Sequence, residues 1–218
     1  MSGKSSTCTE STSARENRNA AGYSETGTIK RVQSVEAIPR TSPLRANEEH
    51  VTFNLVQSEL RAHNFAVLST VDQDGAPDSA GVNFGVSLPG RELALYVMTR
   101  RHLKKARNIV RNPRVSLVVT LPRRILQFVP PATIQLRGWA EILDWNDADG
   151  IDVFRRFWMG RRILAAYEES RRQGDSRICF LKISLDPVIR TYAVGYSAWD
   201  LRRRMESAAA TVRIPTMQ

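Results

Sequence analysis

The feature that most constrains the fold is a series of short apolar runs separated by tight turn sequences. The turn signal DQDG at 72–75 separates the first run from the second, and LPG at 88–90 separates the second from the third. Runs of this length, rich in β-branched residues and bounded by turns, are typical of strands. We predict strands at 65–71, 79–87, 92–99, 114–121, 133–143, 178–185 and 188–192. Six or seven strands joined mostly by tight turns favour a β-barrel.

Three segments instead have helical character. Apolar residues at 51, 55, 56 and 60 follow helical spacing, which predicts a helix over 48–63. A second helix is expected at 101–110, ended by Asn112-Pro113, and a third from 146 to 173 with an interruption at Gly160. The expected fold is therefore mainly β (α+β), with short helices attached to the barrel.

Residues 1–47 differ in composition from the rest of the chain. They contain 14 Ser or Thr but only seven large aliphatic or aromatic residues, too few to offset the entropy lost on folding. We therefore predict a disordered N-terminal tail at 1–47, a folded domain at 48–195 and a C-terminal extension at 196–218.

The charge balance suggests an anionic partner. The chain has 32 Lys and Arg against 22 Asp and Glu, a net charge of +10, of which +3 belongs to the predicted tail. No apolar stretch is long enough to span a membrane, and the first 20 residues lack the apolar region of a signal peptide. Two cysteines and three scattered histidines favour neither a disulfide framework nor a metal site. We expect a cytoplasmic protein that does not contact membranes.

The segment at 96–113 carries the clearest chemical signal. A predicted strand ends at Thr99, and the helix that follows has Lys104 and Lys105 near its start. Helix N-termini attract phosphate through unpaired N–H groups and the helix dipole, and the ammonium and hydroxyl groups add charge and a directed hydrogen bond. This pattern predicts a phosphate site, and a solvated basic helix face is the alternative.

Four pieces of sequence then occur in an order that resembles a known family: TVDQDGAP at 70–77, YVMT at 96–99 with Lys105 beyond it, NPRVSL at 112–117 and QLRGWAE at 135–141. They resemble the flavin-binding split β-barrel family of the pyridoxamine 5′-phosphate oxidases and their deazaflavin-dependent relatives. The resemblance implies a six-stranded split barrel, bound FMN or a deazaflavin coenzyme, and a homodimer with two equivalent sites at its interface. It also implies hydride transfer between the coenzyme and a small-molecule substrate.

The resemblance also assigns candidate cofactor-binding residues. The strand after the turn proline would lie along the flavin, the end of the third strand and the basic pair would hold the phosphate, and a polar residue on a later strand would touch the flavin edge. These positions are Ala80, Gly81, Val82, Asn83, Met98, Thr99, Lys104, Lys105 and Thr133. Tyr192, Tyr196 and Trp199 are further candidates for covering the flavin ring. No catalytic acid or base stands out.

The sequence departs from the oxidases at the substrate positions. Ala80 and Gly85 stand where the oxidases have Arg and Lys, while Thr133 and Gln135 replace Gln and Arg. The C-terminal Arg/His signature for pyridoxal phosphate is also absent. The phosphate anchor is therefore expected without the vitamin B6 substrate site, which disfavours a true pyridoxamine phosphate oxidase.

Two other classes of function remain open from the sequence. A non-catalytic protein that binds flavin or haem on the same barrel would need no acid or base residues. Nucleic-acid binding is suggested by the charge of +10 and by arginine pairs at 155–156, 161–162 and 171–172. It is disfavoured because no helix-turn-helix or RNA-binding signature is present.

Overall fold

The computed structural model describes residues 51–122, 131–197, 201 and 208–215, and every structural statement below concerns these residues. The predicted tail at 1–47 lies outside them, as do Trp199 and most of the loop between the fourth and fifth predicted strands.

Six antiparallel strands form a closed barrel. Their order around it is β4-β1-β2-β3-β6-β5, and β5 pairs with β4 to complete the circle. Two further strands, β7 and β8, extend the sheet from β5. The predicted six-stranded barrel is therefore confirmed. The bounds are β1 (Phe65–Val71), β2 (Pro77–Val86), β3 (Ala94–Arg100), β4 (Arg114–Leu121), β5 (Ala132–Asp144), β6 (Ile178–Leu185), β7 (Val188–Tyr192) and β8 (Ala209–Arg213).

Alternation along the strands fills the barrel with apolar side chains. In β4 every second residue from Val115 to Leu121 is buried, and the residues between them are more exposed. This period of two is what a strand with one face on a core requires. The largest side chains of the barrel core include Leu68, Phe84, Leu95, Leu117, Leu136 and Ile183.

Four helices accompany the barrel: α1 (Phe53–Ala62), α2 (Lys104–Arg111), α3 (Ala148–Arg155) and α4 (Trp158–Arg172). Helices α3 and α4 cover the outer side of β3 and β6, where Phe154 packs against Phe180 in a second apolar cluster. Among the described residues, no helix is both long and apolar enough to cross a membrane.

The predicted interruption at Gly160 was wrong, because the helical segment breaks at residues 156–157 and Gly160 lies inside α4. A Cβ at Gly160 would collide with the carbonyl oxygen of Phe154 and crowd the Phe157 ring. The glycine therefore allows α4 to pack closely against the end of α3.

Strand β5 shares one of its edges between two neighbours. Residues 138–144 pair with β6, whereas residues 133–135 pair with β7. Gly138 lies at the crossover, where a Cβ would collide with the carbonyl oxygen of Ser184. β7 then pairs with β8, a strand that the sequence did not predict and that the segment 196–218 contributes.

Candidate functional site

The barrel is split where β2 changes its partner. Residues 77–83 of β2 pair with β1, and only residues 84–86 pair with β3. All of β3 pairs with β6, but residues 98–100 have no partner on β2, and the β2–β3 ladder ends at Phe84 and Val97. The predicted cofactor residues Ala80–Asn83 and Met98–Thr99 consequently lie on the two walls of this split.

Side-chain direction separates these residues into two groups. Gly81 and Asn83 face the outside of β2, whereas Val82 is buried in the barrel core and Ala80 faces the same way. The Met98 side chain packs in the second apolar cluster beneath α3 and α4. Ala80, Val82 and Met98 can therefore offer a ligand only their backbone groups.

Thr99 has a buried hydroxyl without a partner. It is 2% exposed and makes no hydrogen bond with any residue that the structure describes. The other four buried polar side chains, Thr70, Ser87, Asn108 and Thr191, all form hydrogen bonds. Since buried polar groups are normally paired, the Thr99 hydroxyl is suited to a ligand at the split.

Helix α2 begins at Lys104, five residues after Thr99, and no side chain caps its N-terminus. Its N-cap residue is Leu103, which offers no hydrogen-bonding side chain, and no acidic residue lies in the first turn. The amides of Lys104 and Lys105 therefore have no intrahelical acceptor. Such amides, together with the positive end of the helix dipole, favour an anion.

The two predicted lysines differ in their surroundings. Lys104 Nζ lies 3.1 Å from Asp78 Oδ1 and 3.7 Å from Asp72 Oδ2, and the hydrogen bond to Asp78 raises the pKa of Lys104. Lys105 is half-buried and forms no ion pair with a described carboxylate. Lys104 thus already has two carboxylate partners, while the charge of Lys105 is available. No pattern in the sequence indicates these ion pairs.

Thr133 lies far from the split within one chain. Strands β2 and β5 are three positions apart in either direction around the six-stranded barrel. On the outer side of β5, Thr133 pairs across strands with Thr120 and with Tyr192. A single chain therefore does not bring Thr133 to Ala80–Asn83.

Phe65 was not selected from the sequence, yet it lies beside the split. Its ring atoms come within 3.0 Å of where a Cβ at Gly81 would be, and the residue is 50% exposed. The sequence signal that could have indicated Phe65 is an aromatic residue at an outward position of one strand, followed by a strand that contains a glycine.

The family model of pyridoxamine 5′-phosphate oxidase matches residues 54–186, more than half of the chain. The chain belongs to the pyridoxamine 5′-phosphate oxidase family. The matched region contains both walls of the split and the start of α2. No curated protein sequence matches the chain.

Solved structures match the chain at low sequence identity. The heme binding protein from Mycobacterium smegmatis is 17% identical with a TM-score of 0.52, and the match covers 73% of this chain but 57% of that one. HutZ, the heme storage protein from Vibrio cholerae, is 15% identical with a TM-score of 0.49, covering 63% and 92%. General Stress Protein 26 from Bacillus anthracis is 24% identical with a TM-score of 0.42, covering 63% and 91%.

This member of the pyridoxamine 5′-phosphate oxidase family has no room for a side chain at Gly85, where the resemblance places a lysine in the oxidases. A Cβ there would collide with Val153 and lie 3.1 Å from Cε1 of Phe157. Val153, near the end of helix α3, and Phe157, which follows this helix, fill the space beside Gly85.

Proposed function

We propose that the chain binds FMN by its phosphate at the split and acts as an oxidoreductase on a small-molecule substrate in the cytoplasm. The observation that carries the proposal is the buried hydroxyl of Thr99, which has no hydrogen-bond partner among the described residues and lies four residues before Leu103, the N-cap residue of α2. A deazaflavin coenzyme is the alternative, since it would use a similar phosphate anchor.

The residues at the split fit such a group. Thr99 Oγ1 would donate a hydrogen bond to the phosphate, the Lys104 and Lys105 amides would donate two more, and Lys105 would supply charge. The backbone at Gly81 and Asn83 would hold the ring system. Bound FMN supplies hydride-transfer chemistry, and the protein supplies position and electrostatics.

A homodimer is part of this proposal. Thr133 and Tyr192 lie on the outer side of the barrel opposite β2, so they can approach the cofactor only from a second copy of the chain. Phe65 and Trp139 leave large aromatic surface on the outer side of the barrel, at 50% and 54% exposure. A homodimer formed on this side of the barrel would cover these side chains.

The proposed substrate is not a vitamin B6 phosphate. Val153 and Phe157 fill the place where a side chain at position 85 would extend. The oxidases' substrate lysine has no counterpart here, and α3 closes the position from outside. We therefore propose a different small molecule as the reaction partner.

The proposal is tested by titrating the full chain with FMN and following flavin absorbance and fluorescence. Thr99→Val keeps the shape of the buried side chain and removes its hydroxyl, so the dissociation constant should rise about tenfold or more, as for other hydrogen bonds to charged groups. Lys105→Gln should weaken binding more than Lys104→Gln, because Lys104 is already paired with Asp78.

A chain that binds neither FMN nor a deazaflavin would overturn this function. If the chain binds the cofactor tightly but oxidises neither NAD(P)H nor a reduced deazaflavin with any acceptor tried, it is a cofactor-binding protein and not an oxidoreductase.

Haem is a second candidate ligand, supported by the heme binding protein from Mycobacterium smegmatis, which shares the fold at a TM-score of 0.52. His102 is exposed and has no partner among the described residues, so it is the candidate iron ligand. Titration with haemin should then produce a sharp Soret band that His102→Ala weakens. A broad, variant-independent spectrum would argue against haem.

A further inference from the structure

A groove of about 290 Å³ lies on the outer side of β4, β5 and β7, away from the split. Five of its lining residues have polar or charged side chains, and they lie on these strands or on the turn before β7. The groove is lined by Ser116, Gln135, Arg137, Asp186, Val188 and Arg190, with Pro187 at its edge. Nothing in the cofactor proposal uses these residues.

Strand register brings two arginines of the groove together. Arg190 on β7 pairs directly with Gln135 on β5, and Arg137 is two residues further along the same face of β5. Diagonal neighbours of this kind have Cβ atoms about 7–8 Å apart, within reach of long side chains. Both arginines are exposed, and neither forms an ion pair with a carboxylate in the described part of the chain.

The carboxylate in the groove does not neutralise these arginines. Asp186 accepts hydrogen bonds of 2.8 and 2.7 Å from the guanidinium of Arg114, which holds the pKa of Asp186 below its usual range. The charges of Arg114 and Asp186 cancel, so Arg137 and Arg190 leave the groove positive. Two like charges on neighbouring strands are unfavourable unless an anion lies between them.

Neutral groups of the groove complete the surroundings of such an anion. The Gln135 side chain is exposed beside Arg190, and Ser116 pairs across strands with Arg137. Guanidinium groups bind carboxylate and phosphate through paired, parallel hydrogen bonds. A volume of about 290 Å³ is close to the lower end of the range for small-molecule sites.

We propose that Arg137 and Arg190 bind the carboxylate or phosphate group of a small molecule at this groove. The site also indicates the class of substrate, a reading that rests on the proposed function. The proposed function places Thr133 and Tyr192 at the cofactor edge. These two residues pair across strands on the same outer face as Gln135 and Arg190, two positions away. A substrate whose anionic end lies on Arg137 and Arg190 would thus point its other end toward them.

The test is calorimetric titration of the full chain with two probes, succinate and inorganic phosphate. We compare Arg137→Gln, Arg190→Gln and the double variant with Arg155→Gln, which removes one positive charge from α3, outside the groove. Each groove variant should weaken binding of the preferred probe about tenfold or more, and Arg155→Gln should leave it unchanged. Binding of succinate alone identifies a carboxylate site, and binding of phosphate alone identifies a phosphate site.

Two results would overturn the proposal. One is the absence of binding by both probes, and the other is an equal loss in Arg155→Gln and the groove variants, which would show general charge attraction. Thr99→Val separates the two sites. If this variant abolishes phosphate binding and Arg137→Gln does not affect it, the phosphate binds at the cofactor position and not in the groove. Loss of FMN binding with intact succinate binding would refute the cofactor and retain the anion groove.

Discussion

Arg114 holds Asp186 by two parallel hydrogen bonds of 2.8 and 2.7 Å, which join β4 to the turn between β6 and β7. The Trp139 ring packs over the same guanidinium, whose carbon lies 4.9 Å from the ring centre. Arg114 is therefore fixed from two sides. Among the described residues it is the ion-pair partner of the Asp186 carboxylate, and neither Arg137 nor Arg190 forms an ion pair with Asp186.

Replacing Arg114 should weaken anion binding at the groove, although Arg114 itself is not proposed to contact the anion. In Arg114→Gln, Asp186 loses its partner and is free to pair with Arg137, whose charge already acts on it. We expect succinate or phosphate affinity to fall several-fold. Arg114→Gln combined with Asp186→Asn should recover the affinity, and a double variant as weak as the single one would contradict this role.

Freeing Lys104 should strengthen FMN binding. Asp78→Asn removes the carboxylate 3.1 Å from Lys104 Nζ, so the ammonium group can turn toward a phosphate at the start of α2. Exposed ion pairs are weak, so the dissociation constant should improve by no more than about fivefold. Fluorescence titration measures it. The control is Asp74→Asn, which removes a carboxylate from the turn before β2 that forms no ion pair with Lys104 among the described residues.

Asp175 should make stability depend on pH in the acid range. Hydrogen bonds from Arg177 and Arg100 lower the pKa of Asp175 well below its ordinary value. The stabilisation is therefore fully present above the unfolded carboxyl pKa of about 4 and is lost as pH falls toward the folded pKa. The difference in urea midpoint between wild type and Asp175→Asn should be large at pH 7 and smaller at pH 3. An equal difference at both pH values would refute it.

Adding a methyl group at Gly85 should destabilise the fold, whereas adding one at Gly81 should not. The Gly85 Cβ would collide with Val153 inside a packed cluster, and such overpacking costs about 1–3 kcal/mol. At Gly81 the neighbour is the half-exposed ring of Phe65, which can move, so the change should stay within about 0.5 kcal/mol. Urea unfolding of Gly85→Ala and Gly81→Ala measures both, and equal losses would contradict the difference in packing.

Cys179 should be unreactive in the folded protein. The side chain is buried on β6, and burial raises the pKa of its thiol to about 11. Because the thiolate is the reactive form, iodoacetamide at pH 8 should alkylate Cys179 only after unfolding in urea. Mass spectrometry of a Cys8→Ser variant, in which Cys179 is the sole cysteine, measures the extent of alkylation. Rapid labelling of the native variant would show that β6 opens.

Strand positions could be predicted well because alternation and turns are local signals. The predicted bounds of the fourth, sixth and seventh strands agree with β4, β6 and β7. β8 was missed because Ala209 and Ala210 carry little strand preference, and the pairing with β7 that stabilises the strand is not local. The helix break was placed at Gly160 because a glycine is a common break signal, whereas here it serves close packing.

The candidate site could be predicted only in part for the same reason. Thr99 and Lys105 follow from a strand end and a helix start, which are visible in one segment. The ion pair of Lys104 depends on Asp78, which the fold brings from another strand. The meeting of Arg137 and Arg190 depends on the register between β5 and β7, which no local pattern specifies.

The shared edge of β5 has a consequence for how the molecule opens. β7 and β8 attach to the barrel through three residue pairs at the start of β5, whereas β6 holds the rest of that edge. Opening this short ladder also requires Ile189, Ala210 and Val212 to leave the barrel core, so β7 and β8 would open together as one local unit. Arg190 lies on β7 and Arg137 on β5, so an anion that bridges them would add a link beside this short ladder. Amide hydrogen exchange in β7 and β8 should slow when the groove is filled.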